Sequence, residues 1–338
     1  MQTYIIGDIH FGIKTDTFFI DYQIKQFNKI IDYIIKSDIK NVVILGDVFD
    51  NRRQIDINTF DKISDSLDRL ESLNVYIIIG NHDTYFKTSN KVNSISSLLK
   101  KYNFNIIDKI QEINIDGVSC LFVPWMHKNN YDKSLKTITN STADYCFGHF
   151  AINDFYLVNG ITESNGIKQS TFKNFKFTFS GHFHLKDKQK NIVYVGSFVQ
   201  LNWNDYDDQK QIILLDSENN DLENIKIVDD IFEKIFITDD TKISYKEEYD
   251  NKIIKVFVER KLKPKDLTII DEITKKCLSC DVIDNTILIE KINENIKTEN
   301  ITDLLNEVLD NQENINVSHT KHIKKYINLV YNKTLNIS

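Results

Sequence analysis

Six short words combine glycine with ligand-type side chains: Gly7-Asp8-Ile9-His10, Gly46-Asp47-Val48-Phe49-Asp50, Gly80-Asn81-His82-Asp83, Gly148-His149, Gly181-His182-Phe183-His184 and Gly196-Ser197. Five of the eight histidines fall inside them. Any one such word, taken alone, is most often a turn or a satisfied core group. Their agreement in order and spacing is what carries chemistry. Asp8, Asp47, Asn81, His10, His149, His182 and His184 supply two carboxylates, an amide oxygen and four imidazoles, with His82 and Asp83 alongside. That is too many donors for one tetrahedral ion and suits two octahedral ones. Nitrogen and oxygen donors without thiolate fit Mn2+, Fe2+, Zn2+ or Mg2+, and the softness of the set favours Mn2+. Two such ions about 3.5–4 Å apart, bridged by one carboxylate, clamp a phosphate for in-line attack by water whose pKa they lower.

Such words need elements that end where they begin. Thr3–Ile6, Asn41–Leu45 and Val75–Ile79 are β-branched apolar runs, each followed by glycine, and read as buried parallel strands. Helical spacing runs from about Phe18 to Lys36 through Ile20, Ile24, Phe27, Ile30, Ile31 and Ile34. It recurs from about Asn58 to Leu73 through Phe60, Ile63, Leu67 and Leu70. This is a βαβαβ unit with right-handed crossovers, and ligands bind such sheets beyond the strands' carboxyl ends. Ser119–Val123, Tyr145–Phe147, Phe175–Phe179, Ile192–Val195 and Gln211–Leu215 are expected to form a second sheet packed on the first, giving a two-sheet α/β sandwich with helices outside. A small α+β module follows, with strands at Lys252–Val258 and Val282–Glu290 and a helix near Asp266–Cys277. Two C-terminal helices are expected, one carrying the stripe Ile301, Leu304, Leu305, Val308 and Leu309, the other running over Tyr326–Asn332.

The chain of 338 residues carries 42 basic against 49 acidic side chains, a formal charge of −7, so any phosphate-binding surface must be local or supplied by metal. No apolar run reaches the roughly 18 residues of a membrane span, and MQTYIIGD has neither a basic region nor a cleavage site. Four cysteines make no disulfide framework, which fits a reducing cytoplasm. No G-x-x-x-x-G-K-[ST] loop occurs, so ATP control would need another protein.

DxH, GDxxD, GNHD, GH and GHxH in this order resemble the signature of calcineurin-like metallophosphoesterases over about residues 1–235. The resemblance implies a two-sheet sandwich with a dinuclear site. One metal would be held by Asp8, His10 and His184, the other by Asn81, His149 and His182, with Asp47 bridging. His82 would act as general acid at the scissile phosphate and Asp83 would orient it. Phosphatases of this fold usually carry D-R-G after the second word; here Asp50 is followed by Asn51-Arg52-Arg53. Gly46–Asp50, Val123-Pro124-Trp125-Met126 and Phe179–His184 are instead similar to SbcD-type DNA repair nucleases, and most to the small subunits of T-even phage recombination endonucleases.

That branch implies a DNA exonuclease and endonuclease acting in recombination, replication and repair in the cytoplasm, the host's if phage-encoded. It implies a homodimer through the helices after the second and third words, where Phe60, Ile63 and Leu67 contribute or only face the sheet, and an SbcC-type ATPase partner. Residues 1–235 would be the nuclease domain, 236–297 a capping domain on DNA, and 298–338 the helical tail on the ATPase. Many relatives in this branch have histidine where Asp50 stands, a residue linked to exonuclease activity.

Arg52 and Arg53, next to the bridging position, are candidates to grip substrate phosphate, with a solvated face as the bland alternative. Asn202 and Trp203 border the substrate groove or simply pack. Cys277 and Cys280 form a lone CxxC with no second pair, which reads as structural. His127, His319 and His322 stand apart from the motifs. The basic end of the tail contacts DNA or is a solvated end. Two other functions compete: a phosphomonoesterase or small-molecule phosphodiesterase of the same superfamily, and a DNA-end-binding scaffold with weak catalysis.

Overall fold

The computed structural model describes residues 1–14, 16–158 and 160–286. Gln2–Ile6, Asn41–Ile44, Asn74–Ile78 and Asn105–Ile107 run parallel in one sheet. The strands Ile212–Asp216 and Asp221–Ile225 extend it antiparallel beside Gln2–Ile6, making six strands. The second sheet also has six, in the order Asp187–Gln189, Ile192–Tyr194, Phe177–Gly181, Tyr145–His149, Val118–Val123 and Gln111–Ile115. Its central strands are parallel and its two edges antiparallel. The fold class is the expected two-sheet α/β sandwich.

Alternation along each strand builds three apolar layers. Tyr4, Ile6, Val42 and Ile44 face the helices Thr17–Lys36 and Ile57–Leu70, meeting Phe27, Ile31, Ile63 and Leu67. Ile5, Val43 and Ile78 point the other way, against Cys120, Phe122, Phe147 and Phe179 of the second sheet. Leu121, Val123 and Cys146 cover that sheet's far face with Ile138, Phe150 and Phe172. The strands are apolar on both sides, which is why they read as unbroken runs. Phe122, Phe147 and Phe179 are in register on adjacent strands and stack at 5.2 and 5.3 Å, with interplanar angles of 20° and 15°.

One expectation is corrected here. Ile212–Asp216 lies in the first sheet, Ile5 opposite Ile213, and not in the second. Ile212 enters the helix layer and Ile213 the layer between sheets. Such a two-sided strand fits either sheet equally, so its composition gives no choice. The strands Asn105–Ile107, Gln111–Ile115, Asp187–Gln189 and Asp221–Ile225 are short or polar edges that carry no strong apolar pattern.

Among the described residues, a second compact unit comprises Lys234–Glu247, Ile254–Lys276 and residues 280–286. Within the described residues it contains the helix Pro264–Lys276 and most of a three-stranded sheet of Phe232–Ile237, Ile253–Val258 and Ser279–Asp284. Asp266 accepts from the Lys263 backbone N–H at 2.8 Å and pairs with Arg260 at 2.6 Å, fixing the start of the helix. The tail helices expected over 298–338, with His319 and His322, lie outside the described residues. No helix among the described residues is long and apolar enough to cross a membrane.

Phe147 is fully buried in the middle layer between two stacked rings. Phe147→Ala should cost about 3–5 kcal/mol of stability, read as a fall in the urea midpoint with the slope unchanged.

Candidate metal centre

The six words lie at the carboxyl ends of strands from both sheets, and their backbones are laced together. The N–H groups of Ile9 and His10 donate to the Asp47 carbonyl at 3.1 and 2.8 Å, Phe198 N–H donates to the Asp8 carbonyl at 3.0 Å, and Ser197 N–H donates to the His184 carbonyl at 3.0 Å. To turn so sharply, His10, Asp47 and His182 adopt positive φ of 52°, 48° and 93°. Such conformations cost on the order of 1–3 kcal/mol each and persist where the surroundings over-determine them. Gly46 (φ +110°) and Gly80 make room: a Cβ on Gly80 would lie 2.1 Å from Asp47 Oδ1.

The side chains then converge. Asp8, His10 and His184 each offer one ligand atom within 4.8 Å of the others, as do Asp8, Asp47 and His149, and His10, Asp47 and His82. The Asn81 amide oxygen sits 2.9 Å from His149 Nε2 and 2.8 Å from His182 Nδ1. Asp47 Oδ2 lies between the groups, 3.6 Å from His10 Nε2 and 3.4 Å from His149 Nε2. His149 Nδ1 is 2.9 Å from the Leu45 carbonyl, which fixes one proton there and turns Nε2 toward the other donors. His10 Nδ1 is held likewise by Asp50 at 3.0 Å, and its Nε2 faces His184 Nε2 at 3.1 Å.

Burial and mutual charge set the protonation. Burial pushes Asp8 up to about 7, against the pull of His149. Burial would also raise Asp47, but the facing His149, His10 and His82 outweigh it and hold its carboxyl well below the usual range. Burial opposes a charge on His149, yet Asp47 and Asp8 lift it to about 9. His182 and His184 are pushed down to about 3, by burial first and then by His149 and His10 respectively. The two carboxylates thus draw a cation inward, while two imidazoles keep bare lone pairs. Asp8 Oδ1 is buried with no hydrogen-bond partner. An orphaned carboxylate oxygen beside converging lone pairs is the donor set of a divalent-metal site.

Residues 1–270 match the calcineurin-like phosphoesterase family. The chain belongs to that family. It is 29% identical to "Exonuclease subunit 1" of Enterobacteria phage T4 over 339 residues, covering 98% of both chains. It is 26% identical over 205 residues to "Putative phosphoesterase 078R" of Invertebrate iridescent virus 3, covering 58% of this chain and 56% of that one. A solved archaeal phosphodiesterase aligns at TM-score 0.36 and 14% identity, over 67% of this chain and 99% of its own.

The phosphoesterase site also holds groups that the sequence did not place. The Asp83 carboxylate does not hold the His82 ring: it accepts the backbone N–H groups of Gly80 and Val48 at 2.9 and 3.1 Å, tying two words together. Asp83 is pushed up to about 7 by burial first and then by Asp47. The His82 ring is bound instead through Nδ1 to the Asp50 carbonyl at 2.5 Å, so Asp50 orients both His10 and His82. Buried Lys210 donates to the His184 carbonyl at 2.8 Å and pairs with Asp205 and Asp208 at 3.2 and 2.8 Å. Trp125 packs its ring 5.0 Å from His182. Arg52 reaches the Asn81 carbonyl at 3.0 Å, whereas Arg53 lies exposed in the same loop. Trp203 packs on Phe232, 4.7 Å between centroids, and Asn202 caps a short turn, so both have structural roles. His127 is half-buried in the loop after Trp125.

Metal must displace the proton that His149 carries up to about pH 9. Affinity for Mn2+ should therefore weaken as pH falls from 9 toward 6. Calorimetry in two buffers of different ionisation enthalpy should show proton release. An affinity flat across that range would contradict the assigned charge state.

Proposed function

We propose that this phosphoesterase is a metal-dependent DNA nuclease, the phosphodiester-hydrolysing subunit of a recombination and double-strand-break repair complex. The observation that carries the reading is the convergence of two donor groups on one shared carboxylate, Asp47. The near full-length similarity to an exonuclease subunit supports DNA as substrate and a multi-subunit setting.

Asp8, His10 and His184 would hold one divalent cation and Asn81, His149 and His182 the other, with Asp47 shared; donor softness favours Mn2+. When bound, the pair supplies an activated water and neutralises the phosphate. His82 stands at the mouth, its side chain 38% exposed and its Nδ1 fixed on the Asp50 carbonyl. That leaves Nε2 free to pass a proton to the leaving oxygen. Arg52, anchored on the word that carries Asn81, and exposed Arg53 would grip neighbouring phosphates.

Residues 1–235 would form the nuclease domain, 236–297 a cap on DNA, and 298–338 the dock for an SbcC-type ATPase. The working form would be a homodimer, to which Phe60, half-buried on the helix Ile57–Leu70, would contribute. Ile63 and Leu67 of that helix are buried in the core, which favours a sheet-facing role for them.

End-labelled linear DNA should be degraded in Mn2+ and not in EDTA, and Asp47→Ala should abolish this. His82→Ala should slow turnover by about 10²–10⁴-fold while Mn2+ affinity stays within a few-fold. Asp50→Ala should cost about 10–100-fold by releasing His10, while the backbone carbonyl that holds His82 remains in place. Hydrolysis of bis-p-nitrophenyl phosphate with DNA left intact, even beside the ATPase, would sink the nuclease reading.

A further inference from the structure

Two segments beside the metal centre carry no acidic side chain and bring exposed loops to its edge. From Thr84 to Ile107, and from Gly117 to Tyr131, there is no aspartate or glutamate, in a chain whose acidic residues outnumber basic ones 49 to 42. The first opens with a hairpin of strands Thr84–Phe86 and Ser89–Asn93 that starts directly after His82 and Asp83. Its far end returns to the site, where Ser94 N–H donates to the Asp83 carbonyl at 2.9 Å. The second segment carries Trp125, whose backbone N–H donates to the Ile79 carbonyl at 2.8 Å.

Polar contacts weld the two segments. Asn90 Nδ2 donates to the Trp125 carbonyl at 3.0 Å, and Asn129 Nδ2 donates to the Thr88 carbonyl at 3.1 Å. The welded rim presents aromatic rings to water: Tyr85 and Phe86 are 45% and 50% exposed and meet edge-to-face at 4.8 Å. Half-buried Trp125 lies between this rim and the site, its ring 5.0 Å from His182 and 5.8 Å from His149. Lys87, Lys91 and Lys128 are exposed among them.

Exposed rings interspersed with lysines, on segments that carry no acidic residue of their own, are the chemistry that binds unpaired nucleotides: rings stack on bases and ammonium groups meet phosphates. Paired bases hide their faces, so a duplex would engage only the lysines. We propose that this rim is a stacking surface for single-stranded DNA. Trp125 takes the base next to the scissile phosphate, Tyr85 and Phe86 take bases further along the strand, and the lysines follow the backbone. This inference rests on the nuclease reading and adds the strand state and the residues that recognise it.

The test measures binding in EDTA, separately from cleavage. Fluorescence anisotropy would compare the full chain with a labelled oligothymidine, an abasic strand of equal length and a duplex. The wild type should bind oligothymidine at least tenfold more tightly than the abasic strand, and Tyr85→Ser/Phe86→Ser should erase that difference. Both residues are exposed, so circular dichroism should be unchanged. In a Trp203→Phe background the remaining tryptophan should be quenched by oligothymidine and not by the abasic strand. Equal binding of the two strands by the wild type, or full base preference in the double variant, would overturn the proposal while leaving cleavage intact. Conversion to a monomer by the double variant with base preference retained would also overturn it, making the rim an interface between copies. A wild type that neither binds nor cuts DNA would remove the nuclease reading itself.

Discussion

Two aspartates buried at the same point, Asp8 at 0% and Asp47 at 1% exposure, impose the constraint on which the rest of the site depends. Buried carboxylates this close cannot both ionise without positive charge or donors around them. The chain surrounds them with imidazoles and backbone N–H groups: His182 N–H donates to Asp8 and His82 N–H to Asp47, each at 2.8 Å. These suffice to ionise Asp47 and leave Asp8 near neutrality. The remaining demand for a cation is the physical content of the site.

Meeting that demand shapes the backbone. Donors from two sheets reach one point only if the strands stop abruptly and the chain reverses within a residue or two. Positive φ at His10, Asp47 and His182 is the local consequence. Glycine occurs where a side chain would collide with a ligand: a Cβ on Gly181 would stand 2.4 Å from Asp8 Oδ1, and one on Gly46 would stand 2.7 Å from His149 Nδ1. The stacked phenylalanines beneath tie neighbouring strands of the second sheet together, and they pack against Ile5, Val43 and Ile78 of the first. Packing between the sheets and chemistry at their ends are therefore one problem.

This explains what could be read from the sequence. Words of glycine plus ligand residue are visible because steric clash fixes glycine and coordination fixes residue type, and both act at fixed positions after a strand. The βαβαβ start was visible through apolar period. The sheet chosen by Ile212–Asp216 was not, since its two faces are equally apolar. Asp50 was given no positioning role, and Asp83 was expected to orient His82, for a different reason. Asp83 binds backbone N–H groups and Asp50 offers its own carbonyl to His82, and backbone partners leave no signature in residue type. Lys210 was missed on the same ground, because its link to the site is the His184 carbonyl.

Charge placement reconciles an acidic chain with the phosphate ester chemistry of its family. Asp47 and Asp50 stay ionised at the strand ends beside Asp8 and Asp83, so the crevice holds carboxylate charge where a phosphate would approach. The feature that repels the phosphate is the one that binds metal, and metal inverts the sign. A site of this kind needs no basic floor. On the nuclease reading proposed above, basic residues would matter around it, where nucleotides beyond the scissile phosphate would lie outside the reach of the ions. The acid-free stretches after His82 and around Trp125 occupy that position, which is why an overall charge of −7 says little about what the surface beside the metals attracts.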